Sequence, residues 1–153
     1  MKILNFSVVE ILPALLDKSK TQTIRPAFKD NKEKPARFKV GEKVKLMWKQ
    51  RSKRKLFCKK CGYNCFQVKN KITEKCDGTT FFKKKLGIVE ITEVFKIEMW
   101  TGNDVPLITG YKLKGTYKLA RRDGFKDLFN WFHKKYDLSE PKQFWVYRWK
   151  WLE

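Results

Sequence analysis

The stretch Gly87-Ile88-Val89-Glu90-Ile91-Thr92-Glu93-Val94-Phe95-Lys96-Ile97-Glu98 decides the class of fold. It is rich in β-branched residues, whose stiff side chains suit a pleated surface better than a helix, and it contains no proline. It predicts one long strand able to serve as the spine of a sheet. Upstream, Lys43 to Lys49 sets Val44, Leu46 and Trp48 against Lys43, Lys45, Met47 and Lys49, the alternation of a strand with one buried face. Downstream, Gln143 to Leu152 sets Trp145, Tyr147, Trp149 and Trp151 against Phe144, Val146 and Arg148, which predicts a closing strand whose aromatic side is buried against a helix.

Nearer the start, Leu4-Asn5-Phe6 reads as a short strand, and Ser7-Val8-Val9-Glu10 has the capping-box pattern of a helix running to about Asp17, kinked or shortened by Pro13. Lys18-Ser19 is then a turn into Lys20-Thr21-Gln22-Thr23-Ile24-Arg25-Pro26. Read as a strand, that segment puts Thr21, Thr23 and Arg25 on one side and Gln22 and Ile24 on the other. Ala27 to Arg37, charged and without periodicity, predicts a flexible basic loop, and Trp100 to Lys114, with its glycines and Pro106, a second loop. Helices are expected over Thr116 to Arg122 and over Lys126 to Tyr136, the second burying Leu128, Phe129 and Phe132. His133 reads as a solvated residue of that helix, and Lys134-Lys135 as complements to its C-terminal dipole. The order of elements predicts an α+β domain: a small, mainly antiparallel β-barrel with a few flanking helices.

At 153 residues the chain is one domain long, with no internal repeat and a hydrophobic fraction, 42%, ample for a core. Its formal charge of +20 attracts polyanions and opposes self-association at low salt, so nucleic acid is the first partner to consider and a monomer the expected state. Lys49 to Lys85 carries thirteen Lys and Arg against Glu74 and Asp77, a net +11, and reads as a basic insertion (49–85) between two barrel strands of one domain (1–153). No apolar run approaches the roughly 20 residues that span a bilayer, and Asp17-Lys18-Ser19-Lys20 offers no cleavage pattern, so a cytoplasmic protein is expected.

All four cysteines fall inside the insertion. Cys58-Lys59-Lys60-Cys61-Gly62 has the spacing of a zinc knuckle: two intervening residues let both thiolates reach one ion, and the glycine lets backbone amides approach the sulfurs. Cys65 and Cys76 do not form a second C-x2-C, so a structural zinc on Cys58, Cys61, Cys65 and Cys76 stands beside free thiols or a disulfide. Such an ion would fold a zinc-ribbon-like arm that lacks a core of its own. The arm would then present its lysines and Phe57, Tyr63 and Phe66 to a phosphate backbone or bases, with Lys49, Arg51, Lys53 and Arg54 as binding cations and Trp48, beside the insertion, and Trp100, opening a loop, as candidates for base stacking.

Ile11 to Pro26, then Phe38-Lys39-Val40-Gly41-Glu42, then Ala120-Arg121-Arg122-Asp123-Gly124-Phe125 resembles, in that order, the ASCH family of small PUA-like β-barrels. The resemblance covers most of the chain; the cysteine-rich insertion departs from a minimal domain of this kind. It implies binding of RNA or a modified nucleoside in a pocket beside the basic surface, with Thr21 and Arg25 contacting the ligand. It also implies two enzymatic alternatives. In relatives that act as N4-acetylcytidine amidohydrolases, a lysine and a threonine work with a later carboxylate, and the matching positions are Lys20, Thr23 and Asp123, with aspartate where those enzymes have glutamate. A threonine hydroxyl attacks only when a base takes its proton, which a desolvated lysine can do. Ribonuclease action is the second alternative. The bland reading is an ordinary Lys20–Asp123 ion pair on a threonine-rich strand.

Overall fold

The computed structural model describes residues 1–30, 32–62, 80–100, 107–109 and 128–153, with the side chains of 107–109 and 128–131 left aside. Its spine is the expected long strand, Lys85–Trp100. In chain order the strands are β1 (Lys2–Phe6), β2 (Gln22–Pro26), β3 (Phe28–Lys29), β4 (Lys32–Glu33), β5 (Lys43–Trp48), β6 (Leu56–Cys58), β7 (Phe81–Lys83), β8 (Lys85–Trp100), β9 (Leu107–Thr109) and β10 (Lys142–Trp151). The helices are a 3-10 turn, Val9–Ile11, running into α1 (Leu12–Leu16), and α2 (Leu128–Tyr136).

The main sheet runs β1-β5-β8-β10-β2, with β9 paired to the far end of β8. It is mixed: β1 lies parallel to β5, and the other pairs are antiparallel. Among the described residues the ladder does not close, so the expected barrel is seen as an open sheet of a mainly-β domain with few, short helices. The two ends nevertheless meet through side chains. Arg25 of β2, the last strand of the order, donates from Nη2 to the carbonyl of Asn5 in β1, the first, at 2.9 Å.

The alternation in β5 holds as read: Val44, Leu46 and Trp48 are fully buried, each aliphatic one contributing about 1.5–3 kcal/mol. The closing strand differs. Both its faces are covered, because α2 packs on the Phe144 side while β1 and the segment before β5 cover the other. Phe132 and Tyr136 lie 5.2 and 5.4 Å from the Phe144 ring, whereas Tyr147 stacks edge-on to Phe38 at 5.1 Å and Trp149 lies 6.4 Å from Phe6. The helix therefore covers the opposite side from the Trp/Tyr stripe. Arg148, on the Phe144 side, is buried, donating to Gln22 and Glu93 at 3.1 and 3.0 Å.

Three local expectations change. Ser7 makes no cap: α1 begins only at Leu12, with Pro13 in the first turn, where a missing N–H costs nothing. The supposed loop from Ala27 to Arg37 contains the β3–β4 hairpin, fixed by the pairing of Phe28 with Glu33. The loop after Trp100 contains β9. Thr116–Arg122, expected as a helix, lies outside the described residues. Lys18 takes a positive φ of 63°, and the Ser19 N–H bonds Asp17 Oδ1 at 2.8 Å, forming the expected turn before β2.

Candidate functional site

The gap between β1 and β2 is where the chemistry-bearing residues gather. Because the sheet curls but its end strands share no ladder, a cavity of ≈ 80 Å³ is left there, walled by Asn5 and Phe6 from β1, Lys20, Thr23 and Arg25 from the β2 segment, and Lys135 and Tyr136 from α2. Lys20 is 1% exposed and Thr23 4%. The backbone fixes both. The Lys20 N–H bonds Ala14 O at 2.9 Å and its carbonyl accepts from Trp151 Nε1 at 2.9 Å, while Thr23 sits opposite Tyr147 in the β2–β10 ladder.

Phe6 is the floor. Its ring centroid lies 5.7 Å from Lys20 Nζ and 5.3 Å from the Arg25 guanidinium carbon, so two cations share one aromatic ring. A third cation, Lys135, reaches the same space, and its pKa is lowered first by burial and then by the Arg25 charge. Burial raises the Tyr136 phenol, with Arg25 opposing. Thr21 does not line the cavity; its carbonyl accepts from the Trp149 N–H at 2.9 Å, and Gln22 turns away to Arg148.

Asn5 joins this cleft to the basic insertion. Its carbonyl takes Arg25, its side-chain Oδ1 takes the Gln50 N–H at 2.8 Å, and the Lys49 N–H bonds the neighbouring Phe6 O at 2.8 Å. The loop that follows, holding Lys49, Arg51, Lys53 and Arg54, is held by Lys84, which donates to Ser52 O at 2.6 Å. Beyond it β6 pairs antiparallel with β7, Phe57 opposite Phe82. Arg51, Lys53, Lys55, Lys59 and Lys83 have no ion-pair partner among the described residues, so this surface is net cationic.

Trp48 is corrected as a stacking partner: it is fully buried, its Nε1 bonded to Gly62 O at 3.0 Å and its ring packed near Phe82. It is the peg that fastens the insertion to the core. Trp100 is half-buried and donates to Ser139 O at 3.1 Å. Cys58 is buried at the end of β6 and Cys61 half-buried, and the Gly62 N–H returns to Cys58 O at 2.9 Å with Gly62 at φ 68°. Among the described residues no group of three metal-ligating side chains occurs. Cys65, Cys76 and Asp123 lie outside the described residues. His133 has a structural task that its sequence context does not reveal: its Nδ1 accepts the Leu138 N–H at 3.0 Å just beyond α2.

Asn5, Phe6, Lys135 and Tyr136 are the site residues that local sequence reading misses. The Lys134-Lys135 pair carried a signal, a cation at the end of an amphipathic helix, but the helix dipole accounts for it equally well. Among the described residues no helix is long and apolar enough to cross a membrane. No protein-family model, curated protein or solved structure matches the chain.

Proposed function

We propose that the chain is an ASCH-type, PUA-like domain that binds RNA or a modified nucleoside, placing a base in the cleft between β1 and β2 and the adjoining phosphates on the Lys49–Lys55 loop. The observation that carries this reading is the convergence of buried Lys20 and Thr23 on a cleft that Asn5 connects directly to a basic loop whose Arg51, Lys53 and Lys55 have no ion-pair partner among the described residues. A cationic rim supplies sequence-independent attraction to a polyanion. The Arg25–Asn5 bridge across the sheet ends fits a barrel closed by side chains.

The test is fluorescence anisotropy with a short single-stranded RNA across a range of salt. Each phosphate contact adds about 0.7 to the slope of log affinity against log salt, so removing two cations in Arg51→Gln/Lys53→Gln should flatten it by roughly 1.4. Lys20→Met should weaken discrimination between bases and leave the slope alone. Salt-independent binding, or none, refutes the reading.

A second reading, hydrolysis of N4-acetylcytidine, draws on the same pair. Lys20 and Thr23 are both buried and both line the cleft, and in this reading Lys20 takes the Thr23 hydroxyl proton. The threonine oxygen would attack the acetyl carbon, cytidine would leave with the proton, and water would free acetate. Release of cytidine from the acetylated nucleoside, lost in Thr23→Val, separates this enzyme from a binding protein.

For the insertion we propose a structural zinc held by Cys58 and Cys61, with Cys65 and Cys76 as the remaining ligands. The described half supports it: the Gly62-to-Cys58 backbone bond curls the knuckle, and a thiolate-bound ion would be offset by the lysines around it.

A further inference from the structure

We propose that Tyr136 is a specificity-determining residue of the cleft, its phenol O–H donating to a carbonyl oxygen of the bound base. The inference rests on the base-binding reading of the same cleft and names the chemistry its ligand must carry. Tyr136, the last residue of α2, packs in an aromatic cluster with Phe28, Phe132 and Phe144, whose ring centroids lie 6.3, 5.6 and 5.4 Å from its own. All three neighbours are phenylalanine, so packing asks only for a ring and gives a hydroxyl nothing to bond. Phe132 and Tyr136 both line the cavity, and of the two only Tyr136 brings a polar side-chain atom to it. Its phenol makes no hydrogen bond among the described residues, whereas that of buried Tyr147 accepts the Arg37 N–H at 2.8 Å. A tyrosine with a structural task in this fold has a partner for its oxygen; Tyr136 has a cavity.

The residue is held as a recognition group needs to be. Three ring contacts fix the aromatic plane, and Lys142 Nζ donates to the Tyr136 carbonyl, tying the backbone where α2 ends. Burial raises the phenol pKa above its ordinary 10, so at neutral pH the group keeps its proton. The charge of Arg25, which lines the same cavity, is felt at the phenol. A phenol shares its oxygen lone pairs with the ring and is a better donor than acceptor, and the strongest neutral acceptors on a nucleobase are its carbonyl oxygens.

The experiment is ligand-observed NMR titration of the whole chain and of Tyr136→Phe, which keeps the ring and removes only the hydroxyl, with two pairs of nucleosides. N4-acetylcytidine and N4-ethylcytidine differ in the acyl carbonyl; cytidine and 2-thiocytidine differ in the ring carbonyl. Loss of one neutral hydrogen bond should weaken the carbonyl-bearing member of one pair by about 3–10-fold and its counterpart by less than about 2-fold. The pair that responds identifies the acceptor as the acyl or the ring oxygen. Acetate released from N4-acetylcytidine appears in the same spectra, and its initial rate then replaces affinity as the readout. Tyr147→Phe is the control: losing a structural bond, it should lower the urea midpoint and leave both pair ratios unchanged. Equal loss on both members of both pairs, or no loss on any, overturns the inference and leaves base binding standing. Failure of every nucleoside to bind the unsubstituted chain removes base binding and this inference with it.

Discussion

Gly62 and Gly41 make a matched pair for testing how the basic insertion is fastened to the core. Both have left-handed backbones, φ +68° and +84°. A Cβ at Gly62 would lie 2.6 Å from Trp48 Cζ2, 3.3 Å from Cε2 and 3.4 Å from Leu12 Cδ2, whereas one at Gly41 meets nothing within 4 Å. The indole has nowhere to go: Trp48 and Leu12 are fully buried, Trp48 Nε1 is bonded to Gly62 O, and Phe82 packs against the ring. An L-residue in this conformation costs about 1–2 kcal/mol, and the stiffer unfolded chain returns about 0.4–1 kcal/mol, so Gly41→Ala should cost about 0.5–1 kcal/mol. Gly62→Ala adds an overpacking penalty of about 1–3 kcal/mol, for a total of about 2–4 kcal/mol. Urea unfolding followed by far-UV circular dichroism reads the difference, which at a slope of about 1–3 kcal/mol per molar displaces the two midpoints by roughly 1 M. Variants whose stabilities agree within about 0.5 kcal/mol would show that the indole is not wedged against Gly62.

Glu42 accepts from Lys2 Nζ and the Lys39 N–H, which hold its pKa below the ordinary 4.5, so the stability it contributes is present above that value and lost as pH falls through the lowered pKa. Urea midpoints measured from about pH 7 to about pH 3 should therefore fall less steeply in Glu42→Gln than in the wild type, and parallel curves would refute this. Phe144→Ala should cost about 3–5 kcal/mol, since the ring is fully buried and anchors Phe132 and Tyr136; a loss under about 1 kcal/mol in thermal or urea unfolding would mean that α2 is held by other contacts. Elemental analysis of the native protein should find about one zinc per chain, with release of the metal on thiol modification, and metal-free protein of unchanged stability would remove the structural ion.

The strands with the cleanest periodicity were legible from residue types alone. Val44, Leu46 and Trp48 in β5 alternate against lysines, and a half-buried strand is the only pattern that serves both sets. The β8 spine was legible from its β-branched run. What failed did so for physical reasons. Arg148 looks like the solvent side of β10, but Gln22 and Glu93 offer it partners across two neighbouring strands, which a one-strand pattern cannot reveal. The parallel pairing of β1 with β5 joins segments some forty residues apart and leaves no local signature. The β3–β4 hairpin is too short and too charged to show a period. Within the site, Lys20, Thr23 and Arg25 were legible as neighbours on one segment, whereas Asn5, Phe6, Lys135 and Tyr136 are brought in by tertiary packing.

The position of the cleft follows from how the sheet ends. An edge strand exposes backbone groups that must be paired, covered or made unattractive, and a fully closed barrel removes the problem by laddering its last strand to its first. Here the described ends are joined by a side chain in place of a ladder: Arg25 satisfies the Asn5 carbonyl, and Asn5 and Phe6 in turn receive the Gln50 and Lys49 N–H groups. That arrangement leaves a gap one side chain wide, floored by Phe6 and bordered by cations. The same residues therefore serve as edge protection and as candidate binding groups, and the two roles can be told apart. If Arg25 only protects the edge, Arg25→Lys, which keeps a donor but loses the planar fork, should preserve stability and RNA affinity together; if it also grips the RNA, affinity should fall while stability holds.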